Sequence, residues 1–342
     1  MARALEAVLG PGLPIAVRAY DGSQLGPADA PATLLVRSPV VFRRLITAPG
    51  ELGMGRAYVA GELDVEGDLY SALAALADRM PDVRAFGPRQ WAEVLRLAGS
   101  SVLRTGFAAL PVPPEEAHLS GVRHSKERDA AAIAHHYDVS NAFYRIVLGP
   151  SMTYSCAVWE SGDVTPEDAQ AAKYELVSRK LGLRPGMRLL DVGCGWGGMV
   201  LHAAANHGVR AVGVTLSRRQ AEWAEKAVAE AGLADRVQFH VGDAVAELAK
   251  LDAEFDVIFN DIDKDGYPAA WRAANERIRR GGLYVCDNVL WYGRVAVEDP
   301  DDTRPQYTEA VLEHNRLVAE DERYLSTIVP TRDGVMVAIR IA

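Results

Sequence analysis

The sequence predicts an α/β fold: a mostly parallel sheet flanked by helices, preceded by a smaller α+β domain. Three observations predict it. Residues 187–192 read as a short apolar strand, Gly193, Gly195, Gly197 and Gly198 as a turn, and residues 199–206 as the helix that follows. The alternation then repeats, with strands at 209–214, 237–241 and from Phe255 onward, separated by helical stretches. Last, residues 323–329 and 335–341, joined by a turn at 331–334, read as a closing antiparallel hairpin.

The glycine turn comes first in the argument. Glycine serves where the backbone takes unusual dihedrals or a ligand comes close. A strand, a glycine turn and a helix N-terminus together make a cofactor cradle at the carboxyl edge of a parallel sheet. Gly198 falls where a dinucleotide fingerprint wants Gly or Ala, so spacing alone leaves a dinucleotide open. Ahead of the turn, residues 171–181 form an amphipathic helix. Beyond it, Ser217 is placed to cap a helix over 218–231, and a further helix is expected over 269–280.

The 342 residues suit two domains. In the first, residues 15–20 and 33–36 look like strands, and a helix over 69–78 puts Leu69, Leu73 and Leu76 on one face. A proline-rich break at 110–114 reads as the linker, with the domain boundary at about residue 125. The net charge of −9 argues against wholesale nucleic-acid binding. Cys156, Cys194 and Cys286 are widely spaced, which argues against a disulfide framework or a structural zinc site and fits a reducing cytoplasm. No signal peptide or membrane span is read, so the expectation is a soluble cytoplasmic protein.

Asp191 ahead of the glycine turn, with a second strand following at 209–214, resembles motif I of the class I S-adenosylmethionine (SAM) methyltransferases. That resemblance implies a Rossmann-like, seven-stranded, mostly parallel sheet with a terminal antiparallel hairpin, and SAM as cofactor. Residues 53–69, the block from His135 through Tyr137 to Tyr144, and the stretch from Gly149 to Trp159 resemble the cyclopropane-fatty-acyl-phospholipid synthases. The likeness implies that Tyr137, Tyr154 and Ser155 line the SAM pocket, with Cys156 packing near its methionine end. Gly193, Gly195 and Gly197 would cradle the cofactor beside Asp191. Most class I methyltransferases hold the ribose with an acidic residue after the second strand. This chain has Thr215, Ser217 and Gln220 there, which is similar to the cyclopropane synthase version, where Thr and Gln substitute for the acid. Asp243, after the third strand, sits where the fold usually holds the adenine amine.

After about residue 244 the resemblance changes. The glutamate, histidine and late tyrosine that hold bicarbonate in the cyclopropane synthases are not found. Residues 255–267 and 281–295 instead resemble the divalent-metal-dependent O-methyltransferases of the catechol and caffeoyl-CoA type. Asp261 would end the fourth strand, and Asp287 and Asn288 the fifth, so their side chains can converge. Two carboxylates and an amide oxygen make a hard, all-oxygen site suited to Mg²⁺ or a similar ion, with Asp263 as an alternate ligand. In that resemblance Lys264 is the base that takes the hydroxyl proton, and Asp261 holds the ion beside it. Acidic residues at strand ends also serve as caps and turn formers.

Three functions follow as expectations. The leading one is metal-assisted methyl transfer from SAM to a hydroxyl of a phenolic, catechol-like or lipophilic acceptor. The alternative is C-methylation or cyclopropanation of unsaturated phospholipid acyl chains. The third is a SAM-binding protein without catalysis. The partners expected are a small-molecule or lipid acceptor, a peripheral membrane contact and a second copy of the chain, and no nucleic acid.

Overall fold

The computed structural model describes residues 1–77, 79, 86–105, 108, 110–116, 140–297, 299 and 302–342. The chain falls into two compact units, Met1–His118 and Leu119–Ala342. The boundary expected at about residue 125 lies among the residues not described.

The first unit is built on a four-stranded sheet of β1 (Ala16–Ala19), β2 (Gln24–Leu25), β3 (Ala32–Val36) and β4 (Leu63–Gly67), in the order β2-β1-β3-β4. β1 and β3 run parallel and the outer pairs antiparallel. Helices α1 (Ala2–Leu9), α2 (Val40–Thr47), α3 (Glu51–Val59), α4 (Leu69–Ala77) and α5 (Pro88–Thr105) accompany it. Leu5, Ile15, Leu34 and Phe42 form the centre of its core. Arg44 on α2 is buried because every face of its guanidinium is used. Nε and Nη2 donate to Glu62 at 3.0 and 3.1 Å, and Nη1 donates to the Pro111 carbonyl at 2.7 Å. The proline-rich break is therefore tied to α2 at Pro111 and is no free linker there. On α4 the buried face is Ala72, Ala75 and Leu76, and Leu69 and Leu73 are exposed. The small alanines, which the leucine spacing did not weigh, let the helix sit close to its neighbours.

The second unit holds a seven-stranded sheet, as expected. Its strands are β5 (Arg188–Val192), β6 (Arg210–Thr215), β7 (Val237–Val241), β8 (Phe255–Asn260), β9 (Ile278–Cys286), β10 (Tyr324–Val329) and β11 (Val335–Arg340). The order is β10-β11-β9-β8-β5-β6-β7. β5 to β9 are parallel neighbours, and β11 and β10 add antiparallel at one edge. The fold is thus the Rossmann-like α/β arrangement with a terminal hairpin. Central β5 is buried on both faces, with Leu189, Leu190 and Val192 fully covered, as a parallel strand between helical layers must be.

The helices are α6 (Asn141–Leu148), α7 (Pro166–Lys180), α8 (Gly198–His207), α9 (Arg218–Glu230), α10 (Ala244–Lys250), α11 (Tyr267–Ala274) and α12 (Pro305–Glu320). The helix expected over 269–280 stops early: α11 ends at Ala274, a 3₁₀ turn follows at Asn275–Arg277, and β9 begins at Ile278. Ile278 is fully buried and pairs with Phe255, so packing against β8 draws it into the sheet. Around it Trp271 lies with its ring 4.8 Å from Tyr284 and 4.9 Å from Tyr324, both edge-on. No helix among the described residues is long and apolar enough to cross a membrane.

Candidate functional site

The strand order reverses at β5, which has β6 on one side and β8 on the other. A crevice at the carboxyl end of such a strand is where open α/β sheets bind ligands. A cavity of about 1600 Å³ opens there. That exceeds the ~300–1,000 Å³ typical of a single small-molecule pocket, leaving room for a cofactor and an acceptor.

The floor is the glycine turn. Gly193 has φ +94°, and a Cβ on it would collide with the Asp261 carbonyl oxygen. Gly193 and Cys194 both donate their N–H to the Val214 carbonyl, at 2.9 and 3.0 Å, which folds the turn back toward β6. Gly195 has φ +54°, and no atom stands within 4 Å of where a Cβ would be, so ligand can approach its backbone. Gly197 differs. It does not line the cavity, and a Cβ there would lie 2.9 Å from Ala224 Cβ and Phe239. Its glycine serves the packing of the N-terminus of α8 against Ala224 and Phe239.

Asp191, next to the end of β5, lines the cavity and is almost fully buried. Desolvation, then the nearby Asp261 charge, pushes its carboxyl up to about 7, against the pull of Lys173. At the end of β6, Thr215 Oγ1 donates to Gln220 Oε1 at 2.6 Å, and both side chains are buried on the cavity wall. Ser217 caps α9 as expected, its Oγ accepting from Gln220 N at 3.3 Å. Asp243 lines the mouth and caps α10, with Oδ1 accepting from Ala246 N at 2.9 Å. Tyr154 and Ser155 also line the cavity and are exposed. Tyr137 lies outside the described residues.

At the other end, Asp261, Lys264 and Asp287 line the cavity, and Asn288 is reached through Lys264. Asp261 N donates to the Val192 carbonyl at 2.9 Å, which fixes this loop to the end of β5. Lys264 begins a 3₁₀ turn, Lys264–Gly266. Its Nζ donates to Asn288 Oδ1 at 2.8 Å and to the Ile262 carbonyl at 3.3 Å, and lies 3.6 Å from Asp261 Oδ1. Asn288 presents that oxygen from a left-handed backbone, φ +54°. Asp287 Oδ1 accepts from Asn288 N at 2.7 Å. Asp261's carboxyl is raised above the usual range by desolvation first, with Lys264 opposing and Asp287 reinforcing the shift.

This bears on the expected ion. The donor set is hard and all-oxygen, as Mg²⁺ requires, but the Lys264 ammonium stands between two of the three donors. Residues and ion fit only if Lys264 leaves Asn288. With the lysine in place, its ammonium supplies the positive charge that an ion would.

Sequence reading missed Lys173, Tyr174 and Trp196, which all line the cavity. Lys173 and Tyr174 sit on α7, a mostly polar helix rather than the amphipathic one expected, whose cavity-facing side therefore looks solvated in sequence. Desolvation lowers the Lys173 pKa, and Cys156 and Asp191 counter it. Trp196, within the glycine turn, packs its ring 4.7 Å from Tyr144 of α6 and donates Nε1–H to Asn141 Oδ1 at 2.9 Å. Cys156, Cys194 and Cys286 are all free thiols.

Residues 124–304 match the family model described as mycolic acid cyclopropane synthetase. The chain belongs to that family. The match runs past residue 244, across the point where the likeness was expected to change. The chain is 45% identical over 287 residues to a probable fatty acid methyltransferase of Mycobacterium tuberculosis, covering 80% of this chain and 65% of that protein. It is 34% identical over 202 residues to the cyclopropane-fatty-acyl-phospholipid synthase of Escherichia coli K12, covering 58% of this chain and 46% of that one. The chain thus spans about half to two-thirds of the length of the curated relatives it matches. Among solved structures it is similar to a putative O-methyltransferase from Klebsiella pneumoniae, at 25% identity and a TM-score of 0.44, over 53% of this chain and 83% of that one.

Proposed function

We propose that the chain is a SAM-dependent methyltransferase acting on an unsaturated acyl chain of a lipid. The observation that carries this reading is the 45% identity to a probable fatty acid methyltransferase across 80% of the chain. It favours the lipid alternative over the O-methylation that leads the reading of the sequence.

The cavity's chemistry is consistent with a cationic donor. Six aspartates, Asp191, Asp243, Asp261, Asp263, Asp265 and Asp287, line the cavity with three lysines, Lys173, Lys180 and Lys264, so carboxylates predominate. A sulfonium and an ammonium group would be attracted to them. SAM, when bound, supplies an already activated methyl group, so the protein's task is mainly positioning. Gly193 and Gly195 give its backbone close approach, Thr215 and Gln220 offer the ribose a polar ledge, and Asp243 sits at the mouth for the adenine. Met152 and Trp196, and Val335 and Val337 of the terminal hairpin, also line the cavity and would give an acyl chain apolar contact. Methyl transfer to the alkene would break the donor's sulfur–methyl bond, form a carbon–carbon bond and require the acyl chain to lose a proton. Asp261, with its raised carboxyl pKa and Lys264 3.6 Å away, is the base we assign to that proton.

The test incubates the full chain with methyl-labelled SAM and phospholipid vesicles carrying either mono-unsaturated or saturated chains, followed by fatty-acid mass spectrometry. Label in the unsaturated chains alone supports the reading; label in neither overturns it.

A second reading has its own observation. The convergence of Asp261, Lys264, Asp287 and Asn288 suits a hydroxyl acceptor, with Lys264 taking its proton and a divalent ion held by the oxygens once Lys264 turns away. On this reading the residues beyond about 244 owe their likeness to the metal-dependent O-methyltransferases. Catechol-like acceptors assayed with and without EDTA test it: turnover that EDTA leaves undiminished removes the metal, and no turnover removes the hydroxyl acceptor.

A further inference from the structure

Away from the cavity floor, Glu175 of α7 meets His202 and His207 of α8. Among the described residues this is the one group of three or more His, Cys, Asp or Glu residues whose ligand atoms all lie within 4.8 Å of one another. Both imidazoles aim the same nitrogen at the same oxygen. His207 Nε2 is 2.9 Å and His202 Nε2 3.4 Å from Glu175 Oε2. The side chains of both histidines are about 15% exposed and that of Glu175 41%, so solvent, and a solvated ion, can reach the cluster.

We infer that Glu175, His202 and His207 form a binding site for a zinc-class transition-metal ion that pins α7 to α8. Zinc–ligand bonds of ~2.0–2.1 Å in a tetrahedron put ligand atoms roughly 3.3–3.4 Å apart. The His202–Glu175 edge already has that length, and the His207–Glu175 edge is within half an ångström of it. Only the edge between the two histidines has to shorten, by no more than about 1.5 Å from its upper bound. His207 is the last residue of α8, directly before the left-handed Gly208, where a small rotation is least hindered by neighbouring turns.

A metal-bound imidazole needs its other nitrogen held. His202 Nδ1 lies 3.1 Å from the Asn206 side-chain amide, and with the amide oxygen turned inward that contact becomes the N–H···O bond that orients a ligating histidine. Two nitrogens and a carboxylate oxygen leave one position for water, and their borderline softness selects zinc, cobalt or nickel over magnesium.

The placement gives the ion a role. Tyr174, adjacent to Glu175, packs its ring 5.7 Å from His202, and both Tyr174 and Lys173 line the cavity. α8 begins at Gly198, within the glycine turn. An ion joining the two helices therefore holds the wall and the floor of the cavity in a fixed relation without touching what binds there.

The experiment titrates Zn²⁺ or Co²⁺ into metal-stripped full chain by calorimetry and visible spectroscopy. Wild type is expected to take up one equivalent, give the absorption of four-coordinate Co²⁺, and gain about 5 °C in melting temperature at a hundred-fold excess over Kd. Glu175→Gln and the double variant His202→Asn with His207→Asn should each weaken binding at least ten-fold, while Asp287→Asn binds as wild type does. Circular dichroism of the metal-free variants confirms that each is folded. Stoichiometric binding that survives the histidine double variant, or is lost only in Asp287→Asn, overturns the assignment. So does the absence of saturable binding in wild type. None of these readouts depends on methyl transfer.

Discussion

Lys264 and Asn288 join at the Asp261 end of the cavity: the lysine ammonium donates to Asn288 Oδ1 at 2.8 Å, from 24 residues away in sequence. The bond joins the loop after β8 to the loop after β9. It also holds the ammonium 3.6 Å from Asp261, so that one cation serves two neighbouring strand ends. Removing it leaves the Asp261 carboxylate, about half exposed, without its neighbouring counter-charge.

Lys264→Met should therefore reduce methyl transfer by about 10²-fold or more, the range set by loss of one positioned acid–base partner. Asn288→Ala leaves the charge but frees it, and is expected to reduce the rate less than Lys264→Met does. Single-turnover rates with the acceptor that proves active make the comparison. Equal and negligible effects of the two substitutions would remove this pair from the chemistry.

Asp191 predicts the pH dependence of donor binding. Its folded-state carboxyl is raised to about 7, so protonation is favoured by the fold, and the stability linked to it is present at low pH and lost as pH rises through about 7. Binding of a cationic donor runs the other way, because only the ionised carboxylate attracts it. Affinity for SAM should rise roughly ten-fold between pH 6 and pH 8, and Asp191→Asn should flatten that rise. Calorimetry at the two pH values checks both.

His314 predicts a pH-dependent stability. It is fully buried against Tyr284, 3.1 Å from the phenol oxygen, and burial lowers its pKa to about 4. The unfolded chain takes up the proton first. The contribution is complete above the unfolded value near 6.5 and is lost as pH falls toward 4. From those two values it amounts to about 3 kcal/mol. Urea unfolding of wild type and His314→Gln at pH 7.5 and pH 4.5 should show wild type losing more stability over that range.

Gly193→Ala should destroy the turn. A Cβ at φ +94° would enter the space of the Asp261 carbonyl, on a residue whose N–H is tied to the Val192 carbonyl of β5, at a cost of about 3 kcal/mol or more. Gly195→Ala, which meets no atom within 4 Å, should fold better than Gly193→Ala and mainly weaken SAM binding. A melting curve and a binding isotherm for each separate the two effects.

The parallel sheet was legible because its signals are local. Short apolar strands, glycine turns and capped helices each announce themselves within a dozen residues, and β7 was bounded to the residue. The helix over 269–280 failed at its end because the pull on Ile278 comes from Phe255, outside any helical window. Asp261, Lys264, Asp287 and Asn288 were singled out through the resemblance to the metal-dependent O-methyltransferases, but the contact that Lys264 makes with Asn288 was not, since an ammonium and an ion compete for the same oxygens. Gly197 carried the same motif signal as its neighbours although its constraint is Phe239. The Glu175, His202 and His207 cluster could not be seen at all: its members are 27 and 32 residues apart, and no motif links them.

The close approach of Gly193 to the Asp261 carbonyl is made by main-chain atoms, so it is indifferent to what side chains the later loop displays. Substitutions at Asp261, Ile262 or Asp263 that keep the backbone can therefore change the chemistry bordering the turn while the turn itself keeps its shape.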